Sequence, residues 1–143
     1  PHLADTYDDN LFVARNLELL QRPEEAEARY KLALKHAPKG FEANLRYASL
    51  LAQMAQDLVN ETVQAATEAA EAEGDPPPTE VEEPPMVITY RRRAVAALEL
   101  ALESNPQNAT ALSLAAELYR SLEDEASLAD TERRLSALVQ STD

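Results

Sequence analysis

Two prolines set the period of this chain. Pro38 and Pro106 each follow a stretch in which apolar residues return at every third or fourth position. A proline pushes the residue before it out of helical geometry, so each of the two closes a helix. Their separation is twice a period of about 34 residues, which is typical of repeats in which two antiparallel helices form one unit. The sequence therefore predicts an all-α chain of about three helix–turn–helix units.

Hydrophobic periodicity places the helices within these units. Apolar stripes run over residues 8–21, 23–36, 87–104, 108–121 and 124–140, and a further helix begins at Phe41. The stripe of the first helix consists of Leu11, Ala14, Leu17 and Leu20. Aromatic residues make up only 5% of the chain, and alternating runs rich in Val, Ile and Thr are missing, so no strand is expected.

The residues at the repeated positions resemble those of the tetratricopeptide repeat family. That family's unit carries W-x2-L-G-x2-Y on its first helix, and A-x3-F, a small residue and a proline on its second. The matching residues here are Asn10-x2-Val13-Ala14-x2-Leu17 with Ala26-x3-Tyr30, Ala33 and Pro38; Asn44-x2-Tyr47-Ala48-x2-Leu51 with Ala94-x3-Leu98, Ala101 and Pro106; and Leu112-x2-Ala115-Ala116-x2-Tyr119. The family's tryptophan and glycine are replaced, and Leu128-x3-Glu132 departs from the pattern in the last helix.

This resemblance implies how the chain is organised. The units would cover about residues 7–38, 41–106 and 108–140 of a single domain spanning 1–143. They would stack into a short right-handed superhelix, with the small residues where neighbouring helices approach closely. The last helix would cap the array with a polar outer face.

An acidic, proline-rich insertion at about residues 57–86 interrupts the second unit. Residues 57–85 hold nine acidic residues and no basic ones. Either a separate helix at 57–73 pairs with the helix at 41–54, or the helix from Phe41 continues to about Glu73 and a linker at 74–85 returns the chain. Steps of 3.6 residues from Phe41 meet apolar residues without a phase slip, which favours the long helix. A helix–helix turn can also form without Gly or Pro, so the paired alternative stays open.

The composition argues against most kinds of catalytic, metal-binding and phosphate-binding site. The chain has no cysteine, its two glycines are far apart in sequence, and its histidines are only His2 and His36, so thiolate sites, phosphate-binding glycine loops and histidine-rich metal sites are not expected. A formal charge of −13 argues against nucleic acid and anionic membranes, and no apolar run is long enough for a membrane span. We therefore expect no catalytic residue, no cofactor and no bound metal, and a protein that is not an enzyme.

The family resemblance implies a function in protein binding. Tetratricopeptide units bind extended peptides or helices in a concave groove lined by their first helices. The corresponding positions here are Leu11, Arg15 and Glu18 on the first unit, Leu45, Ser49 and Gln53 on the second, and Ser113 and Glu117 on the third. The Lys/Asn/Arg set with which some members grip a partner's terminal carboxylate is absent, and the mixed apolar, amide and acidic character suits a helical or basic peptide. The leading prediction is an adaptor or scaffold module.

Two other functions stay open at this point. The alanine-rich helix would supply an apolar stripe for self-association into a homo-oligomer. Alternatively, the chain is a regulatory or docking segment of a larger enzyme, because it opens at Pro1 rather than Met. Because the chain starts at Pro1, the sequence constrains its localisation only weakly. A cytoplasmic location is favoured, and a periplasmic or exported location stays an open alternative.

The acidic segment has a candidate counter-charge in Arg91-Arg92-Arg93. If residues 57–85 fold back onto these arginines, the contact is neutralising or autoinhibitory. If they stay free, they offer a landing site for a basic partner. The plain alternative is a solvated linker that only returns the chain.

Overall fold

The computed structural model describes residues 5–141, and within that range the chain forms six α-helices and no strand. The helices are α1 (Tyr7–Leu19), α2 (Pro23–His36), α3 (Phe41–Ala72), α4 (Pro85–Ser104), α5 (Ala109–Ser121) and α6 (Glu125–Gln140). Each helix packs against its neighbour in sequence, and α3 also contacts α5. The predicted all-α fold class is confirmed for these residues.

Short polar residues and prolines fix where the helices begin. Thr6 Oγ1 accepts a hydrogen bond from the backbone N–H of Asp9 at 3.1 Å, and Asn108 Oδ1 accepts one from that of Ala111 at 2.9 Å. These bonds satisfy N–H groups that have no partner within the helix. α2 and α4 both begin with proline, which lacks the N–H that a first turn leaves unpaired.

α1 and α5 end in the same kind of turn. Gln21 and Glu123 follow the two helices with φ of 59° each. The next N–H closes the turn in both cases: Arg22 donates to the carbonyl of Leu17 at 2.9 Å, and Asp124 donates to that of Tyr119 at 2.9 Å. This left-handed turn usually carries glycine, so both positions hold a residue under backbone strain.

α3 is the unusual element of the array. It has 32 residues, whereas α1 and α5 have 13 each. The predicted long helix is therefore confirmed, and the alternative of a separate helix at 57–73 is wrong. We call residues 54–72 the α3 extension; at 1.5 Å per residue they are about 28 Å long. Gly74, with φ of 76°, ends the helix, and residues 73–84 form a largely exposed linker to α4.

Small residues line the helix contacts. The side chains predicted to allow close approach are buried, namely Ala14, Ala26, Ala33, Ala48, Ala94, Ala101 and Ala116. Larger side chains fill the space between them, and the rings of Tyr30 and Tyr47 stack with centroids 6.1 Å apart. The core therefore follows the repeat pattern from one unit to the next.

A polar network joins the first unit to the second. Tyr47 of α3 donates its O–H to Glu27 Oε2 of α2 at 2.8 Å. Arg93 of α4 donates from Nη2 to the same carboxylate oxygen and to Tyr47 Oη, both at 2.5 Å. Burial and the Glu27 carboxylate hold the pKa of Tyr47 above its ordinary value. Three helices are thus tied together by one carboxylate.

Candidate partner-binding groove

Two clefts flank α3, one on the side of α1 and one on the side of α5. We call them the α1–α3 cleft and the α3–α5 cleft. Gln53 lines both clefts. The middle of α3 thus lies between two concave surfaces.

The α1–α3 cleft has a volume of about 350 Å³. Glu18 and Gln53, both predicted, lie on its walls, together with Asp57. Gln53 donates from Nε2 to Asp57 Oδ1 at 2.8 Å, so the amide and the carboxylate are held together. Leu50 and Met54, which are almost fully buried, give the cleft an apolar lining.

The α3–α5 cleft has a volume of about 310 Å³ and contains three predicted residues, Ser49, Gln53 and Glu117. All three side chains are exposed. Leu114 contributes apolar surface, and Arg91, at the start of α4, is the single cation among the lining residues of this cleft. Hydroxyl, amide, carboxylate and guanidinium groups therefore converge on one concave surface, which suits hydrogen bonding to a peptide.

Leu11 and Leu45 do not belong to the exposed groove. Leu11 is only 7% exposed and is part of the hydrophobic core, so the prediction that it is an exposed groove residue is wrong. Leu45 is half-buried and packs against the same core. Leu11 belongs to the apolar stripe of α1, and the burial of that stripe decides its position.

Arg15 and Ser113 are exposed but line neither cleft. Arg15 Nη1 lies 3.8 Å from Glu42 Oε1, near the start of α3. An exposed pair at this distance contributes little to stability. The structure thus brings four of the eight predicted residues into the two clefts.

Glu18 also has a structural contact. Tyr30, fully buried on α2, donates its O–H to Glu18 Oε2. Burial and this carboxylate raise the pKa of Tyr30 above its ordinary value. Glu18 is therefore held in place by the core and presents a positioned carboxylate to the α1–α3 cleft.

The three arginines of residues 91–93 have three different environments. Arg93 belongs to the network with Glu27 and Tyr47, and Arg92 is exposed. The side chain of Arg91 is only 13% exposed, and its Nη1 lies 3.3 Å from Glu83 Oε1 in the linker. The acidic segment therefore touches its expected counter-charge at one point. The other eight acidic residues of 57–85 form no ion pair within residues 5–141.

A third concavity, between α4, α5 and α6, was not anticipated from the sequence. It has a volume of about 440 Å³, and Glu99, Tyr119 and Arg134 line it. Tyr119 donates its O–H to Glu99 Oε1 at 3.2 Å, and burial together with this carboxylate raises the pKa of Tyr119 to about 12. The single O–H of Tyr119 is therefore donated to Glu99, and the phenol oxygen can still accept a hydrogen bond in this cleft. The sequence signals for this cleft are only the glutamates of α4 and small residues of α6, and such residues are common on helix surfaces.

Within residues 5–141, no group of three or more His, Cys, Asp or Glu side chains is arranged to hold a metal ion. None of the helices in that range combines the length and apolar character needed to cross a membrane.

Comparisons with known proteins give a limited result. No family model matches the chain, and no curated protein matches it. Among solved structures, the chain is similar to one described as the "MamA RS-1 ArsTM double mutant", with 17% sequence identity and a TM-score of 0.37. The match covers 96% of this chain and 77% of that chain.

Proposed function

We propose that the chain is a non-catalytic protein-interaction module, an adaptor or scaffold that holds a partner's peptide or helix against the concave surface on either side of α3. In this proposal the three helix pairs act as one domain. The observation that carries it is the placement of Glu18, Ser49, Gln53 and Glu117 in two clefts that share Gln53. Side chains from three different helices converge there without a catalytic arrangement among them.

The chemistry of the clefts favours a peptide ligand over a small molecule. Both clefts are open, and each combines apolar side chains with exposed amide or carboxylate groups. Peptide recognition uses this combination, because apolar contacts supply affinity and polar groups fix the register. The carboxylates of the α1–α3 cleft, Glu18 and Asp57, point to a basic segment in the partner.

The proposal is tested with substitutions that fill the α3–α5 cleft. The variant Ser49→Arg/Glu117→Arg places two long cations there, and both sites are exposed, so the fold should be unchanged. The control Glu125→Arg/Ser136→Arg makes the same change in charge on exposed positions of α6. Proteins captured by the immobilised chain from a lysate of its source should be lost with the first variant and retained with the control. Equal retention by both variants would contradict the proposal.

Self-association is a second candidate, favoured by exposed apolar residues on the first and last helices. Phe12 on α1 is 60% exposed and Val139 on α6 is 71% exposed. Head-to-tail contact between such surfaces would extend the array. Sedimentation velocity at rising concentration tests it, since Phe12→Asn should reduce any association. A role as the docking segment of a larger enzyme stays a prediction.

A further inference from the structure

The α3 extension makes a corner with the turn between α1 and α2. α1 ends at Leu19 after 13 residues, whereas α3 runs for 32 residues and passes well beyond it. On one side α4 covers the start of the extension, because Ala55 and Val87 are fully buried. On the side of the α1–α2 turn, no helix of the described chain runs alongside the α3 extension. The extension and the turn therefore bound an open corner.

Two adjoining clefts occupy this corner. The first is the α1–α3 cleft, and the second, of about 180 Å³, lies further along α3. Pro23, Met54 and Asp57 line both clefts. The α3 residues involved run from Leu50 to Glu61, which is about 16 Å along the helix at 1.5 Å per residue. The corner is therefore one continuous surface, long enough for several residues of a partner.

Four carboxylates surround the corner, and no lysine or arginine of residues 5–141 lines either cleft. The acidic residues are Glu18, Glu24, Asp57 and Glu61. The nearest base in sequence, Arg22, lies 3.6 Å from Glu25 instead. Since carboxylates that lie close together without a counter-charge repel each other, a cation placed among them is attracted.

Apolar surface separates these carboxylates. Leu50 and Met54 line the first cleft, while Leu58 and the half-buried ring of Tyr90 line the second. Lysine and arginine lay their methylene stems along apolar surface and keep the charged end in a polar setting. The corner thus matches both halves of a long basic side chain.

Other occupants fit the corner less well. No metal-binding group of three or more side chains is present in residues 5–141. A second copy of this chain would bring a formal charge of −13 toward the same carboxylates. Of its arginine triplet, Arg91 and Arg93 are held by Glu83 and Glu27.

We infer that the corner between the α1–α2 turn and the α3 extension is the docking site for a segment of another protein that carries at least two lysine or arginine side chains. The inference rests on the proposed function and adds the partner's chemistry and its place. The basic side chains occupy the two clefts, whose linings on α3 (residues 50–57 and 54–61) are offset by four residues, about one helical turn. The α3–α5 cleft, which holds Arg91, takes no part in this contact.

The test uses an 18-residue peptide of Leu, Ala and Arg, with arginine at every fourth position, and its counterpart with every arginine replaced by glutamine. Each is titrated into the isotopically labelled chain at physiological salt, and backbone amide shifts are followed by NMR. The variant Glu24→Gln/Asp57→Asn/Glu61→Gln removes three corner charges. The control Glu73→Gln/Glu80→Gln/Glu82→Gln removes three charges from exposed positions in the linker.

We expect the arginine peptide to shift residues 18–24 and 50–61. Its dissociation constant should rise at least tenfold in the corner variant and less than threefold in the linker control. The glutamine peptide should not bind. Equal losses in the two triple variants would overturn the inference, because the attraction would then come from overall charge.

The inference and the proposed function fail in different ways. The capture experiment changes Ser49 and Glu117, which lie outside the corner. Peptide-induced shifts confined to the α3–α5 cleft would overturn the inference that the corner is the docking site, but they would not contradict the proposed function. Absence of any shift with the arginine peptide would also overturn the corner, and the capture result would be unaffected.

Discussion

At the scale of single residues, equivalent positions in the three units differ in how many of their side-chain hydrogen-bonding groups have a partner. Asn10 and Asn44 occupy the same place in the first and second units, and each donates from Nδ2 to the backbone carbonyl one helical turn earlier, at 2.8 and 3.0 Å. Asn10 Oδ1 also accepts from Arg29 Nη1 at 3.2 Å. The position that corresponds to Arg29 on α4 is Ala97, so Asn44 Oδ1 is buried without a partner in the described chain. In the third unit the equivalent residue is Leu112.

This difference predicts unequal effects of the same substitution. Asn10→Leu should lower the free energy of unfolding by about 1–3 kcal/mol, because it removes several hydrogen bonds and leaves Arg29 without its acceptor. Asn44→Leu should lower it by less, because it also removes an unsatisfied buried oxygen. Urea denaturation of the two variants measures the difference. An equal or larger loss for Asn44→Leu would contradict the account.

Tyr119 predicts a loss of stability at alkaline pH. Its pKa is raised from an ordinary value of 10.0 to about 12 by burial and by Glu99. Between these two values the unfolded chain ionises the phenol and the folded chain does not, so the free energy of unfolding falls as pH rises from 10 to 12. Below pH 10 this contribution to stability is fully present.

The replacement Tyr119→Phe should make this fall shallower. Tyrosinate absorbance near 295 nm should lose one late-titrating group in the same variant. An unchanged slope of stability with pH would show that Tyr119 is not responsible.

At the scale of elements, the turns after α1 and α5 carry strain that the end of α3 avoids. Gln21 and Glu123 adopt positive φ, whereas Gly74 does so without a side chain. Replacing Gln21 with glycine should raise the free energy of unfolding by about 0.5–1 kcal/mol, since relief of left-handed strain exceeds the entropy that glycine loses. Gln21→Ala is the control, because alanine keeps the strain and should give no gain. Thermal denaturation compares the two.

The helices themselves were largely predictable, and the reason is local. Apolar spacing along α3 continues in phase past Met54, and no proline or glycine interrupts it, so one long helix follows from the sequence. Leu20 shows the limit: it continues the stripe of α1, yet it is 65% exposed because it is the C-cap of α1 and lies in the turn. Periodicity indicates a face of a helix but not the residue at which the chain leaves it.

The candidate site was predictable only in part, because its geometry depends on contacts distant in sequence. Ser49 and Glu117 belong to different units and meet through the stacking of α3 and α5, which the repeat period implies. No repeat pattern in the sequence predicts the second cleft of the corner. Tyr90 and Glu24 meet there only because α4 returns beside the α3 extension, and no spacing in the sequence specifies that meeting.

At the scale of the whole molecule, stability depends on polar contacts between units. Arg93 joins α4 to Glu27 on α2 and Tyr47 on α3, with about a third of its side chain exposed. Arg93→Ala should lower the free energy of unfolding by about 2 kcal/mol, less than for a fully buried pair because solvent screens the charges. The neighbouring exposed Arg92→Ala is the control and should change it by less than about 0.5 kcal/mol. Similar urea midpoints for both variants would rule the network out as a stabilising contact.

The linker after α3 is longer than the distance that it has to span. The twelve residues of 73–84 can reach about 40 Å when extended, whereas the whole α3 extension, whose start α4 already covers, is only about 28 Å long. The helix can therefore grow or shrink by about two turns while α4 stays seated in the array. Removing seven residues from 63–69 should leave the melting temperature of the repeat unchanged and reduce only the helical signal. A fall in melting temperature comparable to that of Arg93→Ala would show that the linker has no spare length. Since the corner ends near Glu61, the length of α3 after this residue can vary between related chains without loss of docking.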